Sequence, residues 1–232
     1  MAYFDAQFSL ITGYRFLLKQ IIRFISEIDL HCNQKGQKLL DIGCGKKPYQ
    51  MFFRNYQYTG MDLYSDISSP DILGDIMNIP VENNSVDAVM TVWVLDDIPE
   101  PWKAVAEIAR ILKPGGYYFA VENQSTNQHF KEHDYFRFTP LAMEFMAKSN
   151  QMKMIRCESY GGDFALAGFT LITAFNTMFN RVLGSNNFFR PVYSTIINLI
   201  FFPLDRFFRI DFFRKNFEKN SLGYCYVFQK LS

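Results

Sequence analysis

Three aspartates sit where short apolar runs end. Asp41 lies just before two glycines in Leu39-Leu40-Asp41-Ile42-Gly43-Cys44-Gly45. Asp62 closes Tyr58-Thr59-Gly60-Met61-Asp62, and Asp75 follows Asp71-Ile72-Leu73-Gly74. Glycine lets the backbone turn sharply and lets a ligand lie directly against main-chain N–H groups. Asp62 comes 21 residues after Asp41, and a carboxylate at that strand end can accept hydrogen bonds from both hydroxyls of a ribose. A turn aspartate is the plainer reading of the same residue. Asp75 is positioned to accept an adenine amino group, with Ile76 covering the ring. These positions together suit a nucleoside ligand at the carboxyl edge of a parallel sheet.

Proton-transfer chemistry concentrates in one loop. Gln128-His129-Phe130-Lys131-Glu132-His133-Asp134-Tyr135-Phe136-Arg137-Phe138-Thr139-Pro140 holds two of the three histidines. His133 is the candidate general base, with Asp134 or Glu132 to orient it; His129 is a weaker candidate. The competing reading has His133 and Arg137 holding the loop down ahead of a Thr139 helix cap. Asp96 and Asp97 suit either substrate hydroxyls or the cap of the next helix. The four cysteines (Cys32, Cys44, Cys157, Cys225) form no C-x-x-C pair, so reduced thiols and no metal site are expected.

The glycine bend separates two cofactor classes. A dinucleotide site wants a third glycine, which lets the helix approach the strand behind a pyrophosphate; here Pro48 stands near that place. S-adenosylmethionine has no phosphate and does not need it. Its carboxylate suits a helix N-terminus, with Pro48 opening a helix over about 49–55, and Asp41 suits its ammonium.

Several elements must hold these residues in place. Apolar residues at helical spacing over 8–30 predict one or two helices. Strands are expected at 39–42, 58–63, 71–76, 86–93, 117–122 and 152–160, with a last one at 223–229. Helices are expected from Pro101 to Leu112, ending at Lys113-Pro114-Gly115-Gly116, and from Thr139 to Asn150. The run Val86-Asp87-Ala88-Val89-Met90-Thr91-Val92-Trp93 reads as a central parallel strand covered on both faces.

At this point the chain resembles a class I S-adenosylmethionine-dependent methyltransferase of the broad type 11 group. The matching motifs are Leu40-Asp41-Ile42-Gly43-Cys44-Gly45, Gly60-Met61-Asp62, Gly74-Asp75, Asp87-Ala88-Val89 and Leu112-Lys113-Pro114-Gly115-Gly116. Lys47-Pro48-Tyr49 and the His133-Asp134-Tyr135 loop are similar to a surface-polysaccharide-associated branch. The resemblance implies an α/β, Rossmann-like fold: a seven-stranded, mostly parallel sheet with an antiparallel last strand and a helical insertion before it. It implies that Asp41, Gly43 and Gly45 contact the methionine part, Asp62 the ribose, and Asp75 with Ile76 the adenine, while Thr91 and Val92 line the pocket. Relatives often carry Leu-Glu-His after strand 4; this chain has Leu95-Asp96-Asp97.

The 232 residues carry a formal charge of +1, which argues against nucleic acid as partner. A methyltransferase domain is expected over 1–161 and 222–232, interrupted by 162–221. Phenylalanine, with 25 in the chain, is crowded toward the C-terminal third, and in 162–221 it is interleaved with Arg181, Arg190, Arg206, Arg209, Arg214, Lys215 and Lys219. Its most apolar part, 192–204, is too short to span a bilayer but suits a helix in the interface plane. A lid over the substrate, a membrane-docking element and a dimer interface compete as its role. The expected activity is methyl transfer to a small-molecule or lipid-linked acceptor, with a saccharide hydroxyl leading and a quinone or lipid at the membrane second. An inactive cofactor-binding interaction protein is the rival from another class. A cytoplasmic protein, peripheral at the inner face of the membrane if the insertion docks there, is the matching location.

Overall fold

The computed structural model describes residues 19–27, 36–66, 69–128, 132–183, 189–208 and 220–232. They fall into two compact units: Arg23–Glu158 with Gly223–Ser232, and Ser159–Leu222 with residues 19–22. His129, Cys32, most of the expected N-terminal helical region and the basic run 209–219 lie outside the described residues; within that region, 19–27 is helical (α1).

Seven strands form one sheet: β1 Lys38–Ile42, β2 Gln57–Asp62, β3 Ile72–Leu73, β4 Val86–Val92, β5 Leu112–Asn123, β6 Met152–Tyr160 and β7 Gly223–Lys230. Their order is β3-β2-β1-β4-β5-β7-β6. β1 to β5 pair in parallel and β7 runs antiparallel to β5. This is the expected Rossmann-like sheet. The strand order reverses between β1 and β4, and ligands bind at the carboxyl ends beside such a switch point. Register makes those ends neighbours: Ile42 pairs with both Met61 and Thr91, Asp62 with Leu73, and Val92 with Val121.

The sheet takes its position from burial. Leu39 to Ile42 are all buried because β1 has a strand on each side. Helix α2, Pro101–Ile111, turns Ala104, Val105, Ile108 and Ile111 into a core shared with Leu40, Ile42, Val89 and Tyr118. Shortening fully buried Ile108 to alanine costs about 2–5 kcal/mol at such a site. Arg110 of α2 donates to the Ile79 and Val81 carbonyls and pairs with Glu107, whose other oxygen accepts the Ile79 N–H. The segment between β3 and β4 is thereby fixed. Helix α3, Pro140–Ser149, starts as expected, with Thr139 accepting the Ala142 N–H.

Two elements differ from expectation. β3 is two residues long rather than six, because Asp75 folds back into a turn, its Oδ1 accepting the Met77 N–H at 2.8 Å. Lys113-Pro114-Gly115-Gly116 is an irregularity inside β5 rather than a turn before it. Pairing with β4 begins at Leu112, shifts, and resumes at Tyr117. Gly115 has φ +77°, and a Cβ on Gly116 would lie 2.9 Å from the Asp87 carbonyl oxygen.

The second unit contains α4, Asp163–Leu183, and α5, Arg190–Phe208, in agreement with a helical insertion. They pack closely where a Cβ on Gly168 would lie 2.8 Å from the Phe201 Cβ. Tyr193 donates to the Asn176 side chain and stacks on Phe179.

Candidate active site

The bend after β1 folds onto the tip of β2. Gly43 and Gly45 have φ +70° and +51°, the left-handed region that disfavours side chains. A Cβ on Gly43 would also lie 2.5 Å from Val94. The N–H groups of Gly43 and Cys44 both donate to the Met61 carbonyl, at 2.8 and 3.1 Å. The Gly45 N–H donates to Asp62 Oδ2 at 2.9 Å, Asp62 Oδ1 accepts the Tyr64 N–H, and the Asp62 carbonyl accepts the Gly74 N–H at 3.0 Å. One residue therefore ties together the bend, the end of β2 and the start of the Gly74-Asp75 turn.

The helix expected over 49–55 is absent. Only a single 3-10 turn, Gln50–Phe52, follows Pro48. Lys47 has φ +54°, and the buried Tyr49 and Phe53 pull the short segment inward, Phe53 stacking on Tyr58. That single turn is too short to present a helix dipole, so the anion site expected at a helix start after Pro48 is not formed by it. Lys47 instead sends its ammonium to Asp71 Oδ1 at 2.6 Å, while Asp71 Oδ2 accepts the Gly60 N–H. Those two donors, the N–H first, hold the Asp71 carboxyl below the usual carboxylate range.

Asp41 is buried and accepts the Tyr58 hydroxyl. Burial pushes its carboxyl up to about 7; the Tyr58 bond opposes this, the nearby Asp62 charge adds to it, and Lys47 opposes it. Burial, with Asp41 and Asp62 adding, also lifts the Cys44 thiol to about 12, so it is no nucleophile at neutral pH. Tyr58 belongs to the site but was not identified from sequence. Its place opposite Leu39 in the β1–β2 register is the signal that would have found it.

Asp75 is half-buried at the end of the β3 segment, and Ile76 packs in the core. Thr91 is buried at the end of β4, 2.9 Å from the Tyr118 hydroxyl and 3.4 Å from Glu122 Oε1; Val92 is half-buried. Trp93, next in the chain, has φ +55°, an outlier for a bulky residue. Glu122 is fully buried at the end of β5, and burial plus the Asp96 charge holds its carboxyl well above the usual range. Asp96, also fully buried, accepts the Asn123 side-chain N–H at 2.8 Å. It does not cap the next helix, whose N-cap is Glu100.

The loop after β5 docks on this edge. The Tyr135 and Phe136 N–H groups donate to the Asp96 carbonyl. Arg137 grips both carboxylate oxygens of Asp134 and donates to the carbonyls of Thr126, Asn127 and Phe136. Asp134 is thus a partner of Arg137, in line with the loop-holding reading. His133 stands exposed on the same loop. Among the described residues, no group of three or more His, Cys, Asp or Glu could hold a metal ion, and Cys44, Cys157 and Cys225 are free thiols.

The bend, the carboxylates and the strand order have counterparts among known proteins. A family model described as a methyltransferase domain matches residues 40–120. The match covers β1 to most of β5, the strands whose ends carry the bend, Asp62, Asp75 and Thr91. A demethylmenaquinone methyltransferase of Staphylococcus epidermidis is 31% identical over 139 residues, which is 51% of this chain and 58% of that protein. The chain thus spans a little over half the length of such curated relatives. Among solved structures, a putative methyltransferase from Bacillus halodurans C-125 superposes with TM-score 0.57 at 12% identity, over 91% of this chain and 99% of the other. The Burkholderia thailandensis 1,6-didemethyltoxoflavin-N1-methyltransferase, solved with bound 1,6-didemethyltoxoflavin and S-adenosylhomocysteine, has TM-score 0.55 at 12% identity, covering 91% and 78%. At such identities the likeness establishes the fold alone.

Proposed function

We propose that this protein transfers a methyl group from S-adenosylmethionine to a small-molecule acceptor, and that the acceptor is lipid-linked or lipid-like. The cofactor assignment is carried by the pair of buried carboxyls beside the glycine bend. Asp41 and Asp62 are 2% and 3% exposed, and the nearby cation, Lys47, is committed to Asp71. The rise of Asp41 to about 7 reflects buried negative charge without enough positive charge beside it. A ligand bearing an ammonium and a sulfonium offsets that deficit, whereas a pyrophosphate would aggravate it. The residues therefore fit the cofactor.

When bound, S-adenosylmethionine supplies an electrophilic methyl carbon, so the protein's task is mainly alignment. Asp41 and the bend at Gly43 and Gly45 face the amino-acid end. Asp62 keeps lone pairs beyond those used by the Gly45 and Tyr64 N–H groups, enough to accept ribose hydroxyls. Asp75 and Ile76 serve the adenine, and Thr91 and Val92 form the wall beyond β4. His133 takes the acceptor proton where the acceptor is a hydroxyl. Arg137 positions the loop that carries it.

Two observations support the acceptor class. The curated relatives are named for a quinone substrate, and helix α5 turns an apolar row outward. A saccharide hydroxyl, implied by the loop resemblance, is compatible if the saccharide is lipid-linked. The test is calorimetry with S-adenosylmethionine followed by incubation with methyl-tritiated cofactor and cell extract split into organic and aqueous phases. Micromolar binding and label in the organic phase are expected. Tight NAD binding without S-adenosylmethionine binding would refute the cofactor assignment, and label confined to water-soluble products would refute the acceptor class.

A further inference from the structure

Helix α5 is apolar on two sides: Ile197 and Phe202 are buried, yet a second apolar row faces out. Ser194 and Asp205 are buried, and Asp205 accepts the Ala165 N–H at 3.1 Å. Val192, Ile196, Leu199 and Ile200 are exposed, at 52–69%. Their spacing makes one row along the helix. On α4, Leu171, Met178 and Val182 are exposed in a row of their own. Among the described residues, eleven of the 21 exposed large hydrophobic ones lie from Leu171 to Phe207, so this is a concentration rather than a scatter.

Charge selects the occupant. Arg190, half-buried with its Nε away from solvent, opens α5, and the exposed Arg206 stands in its last turn, so a cation lies at each end of the apolar row. Among the described residues of 163–208 no carboxylate is exposed: Asp205 is buried, and Asp163, half-buried, accepts the Asn220 side chain. In sequence, 159–222 carries seven basic and four acidic residues, while the rest of the chain carries 17 basic and 19 acidic. A second copy fits poorly, because an antiparallel twofold pairing of α5 with itself sets Arg190 against Arg206 of the other copy with no exposed carboxylate between. No described helix is long and apolar enough to cross a membrane. At 19 residues, α5 is about 28 Å long.

We infer that α5 lies in the plane of an anionic lipid surface, with Val192, Ile196, Leu199 and Ile200 among the acyl chains and Arg190 and Arg206 at the headgroups. This deepens the acceptor reading given above and rests on it for its purpose, but not for its physics.

Flotation of the full chain with vesicles of phosphatidylcholine alone, or with 30 mol% phosphatidylglycerol added (about a third of the lipid, enough for a negative surface), tests it. Binding to the anionic vesicles is expected, weakened by salt. Leu199→Asp with Ile200→Asp should weaken it about a hundredfold, and Arg190→Gln with Arg206→Gln about thirtyfold. Circular dichroism and calorimetry with S-adenosylmethionine verify that the variants remain folded. Absence of flotation with both vesicle types overturns the inference. So does a dimer in light scattering that Leu199→Asp splits while vesicles bind neither form. If vesicles bind but S-adenosylmethionine does not, the cofactor reading fails and this one stands.

Discussion

Replacing Asp41 by asparagine removes a buried charge and keeps an acceptor for the Tyr58 hydroxyl. The Asp41 carboxyl rises from 3.8 to about 7 on folding. An acid raised in this way binds its proton more tightly folded than unfolded. Its penalty on stability is therefore full above pH 7, shrinks as the pH falls through 7, and is gone below about 4. The full penalty is about 4 kcal/mol, and the part that changes between pH 5 and pH 8 is about 2.5 kcal/mol. Without cofactor, Asp41→Asn should therefore gain on the wild type by about 2.5 kcal/mol as the pH goes from 5 to 8, measured as the difference between paired urea titrations. S-adenosylmethionine affinity should move the other way. In the wild type it strengthens as Asp41 ionises through pH 7, and in Asp41→Asn it is weak and flat with pH. Parallel stability profiles for the two proteins, within about 0.5 kcal/mol over that range, would refute the claim that Asp41 is buried without adequate positive charge.

Other residues give sharper local tests. Asp62→Ala strips the acceptor from the Gly45 N–H and should weaken S-adenosylmethionine binding at least tenfold (about 1.4 kcal/mol) by calorimetry; unchanged affinity removes Asp62 from the site. Gly43→Ala meets Val94 at 2.5 Å and a positive φ. It should cost about 2–4 kcal/mol in urea unfolding, of which Val94→Ala restores only the steric part. Arg137→Ala frees Asp134 and the loop; kcat should fall about tenfold or more with cofactor affinity intact, and a matching loss of cofactor affinity would show that the loop instead holds the cofactor. His133→Ala should lower kcat on a hydroxyl acceptor by about a hundredfold with S-adenosylmethionine affinity unchanged; an unaltered kcat rules out His133 as the base.

What the sequence revealed was mostly local. The Gly43–Gly45 bend, Asp62 and most of the strands follow from short apolar runs ended by glycine and acid, because each signal lies within a few residues, whereas the sheet architecture came from the resemblance carried by those motifs. The pairing of Tyr58 with Asp41, and of Asn123 with Asp96, joins residues 17 and 27 apart and depends on sheet register, which periodicity does not supply. The helix over 49–55 failed because Pro48 and a polar run suggest a helix start, whereas the chain must return to β2 within a few residues and buries Tyr49 and Phe53 on the way. The orientation of α5 was hidden for a related reason. Periodicity reports that a helix has an apolar stripe, but not on which side the core lies.

β6 enters the sheet solely through β7, although 62 residues of chain separate them. Its partner strand is made after every other strand and after both long helices. Closing the sheet joins positions more than a hundred residues apart, such as Tyr117 and Gln229, a long-range pairing of the kind that slows folding. Loss of β7 alone would cast off two strands rather than one and leave β5 an open edge, inviting assembly with other unfinished chains.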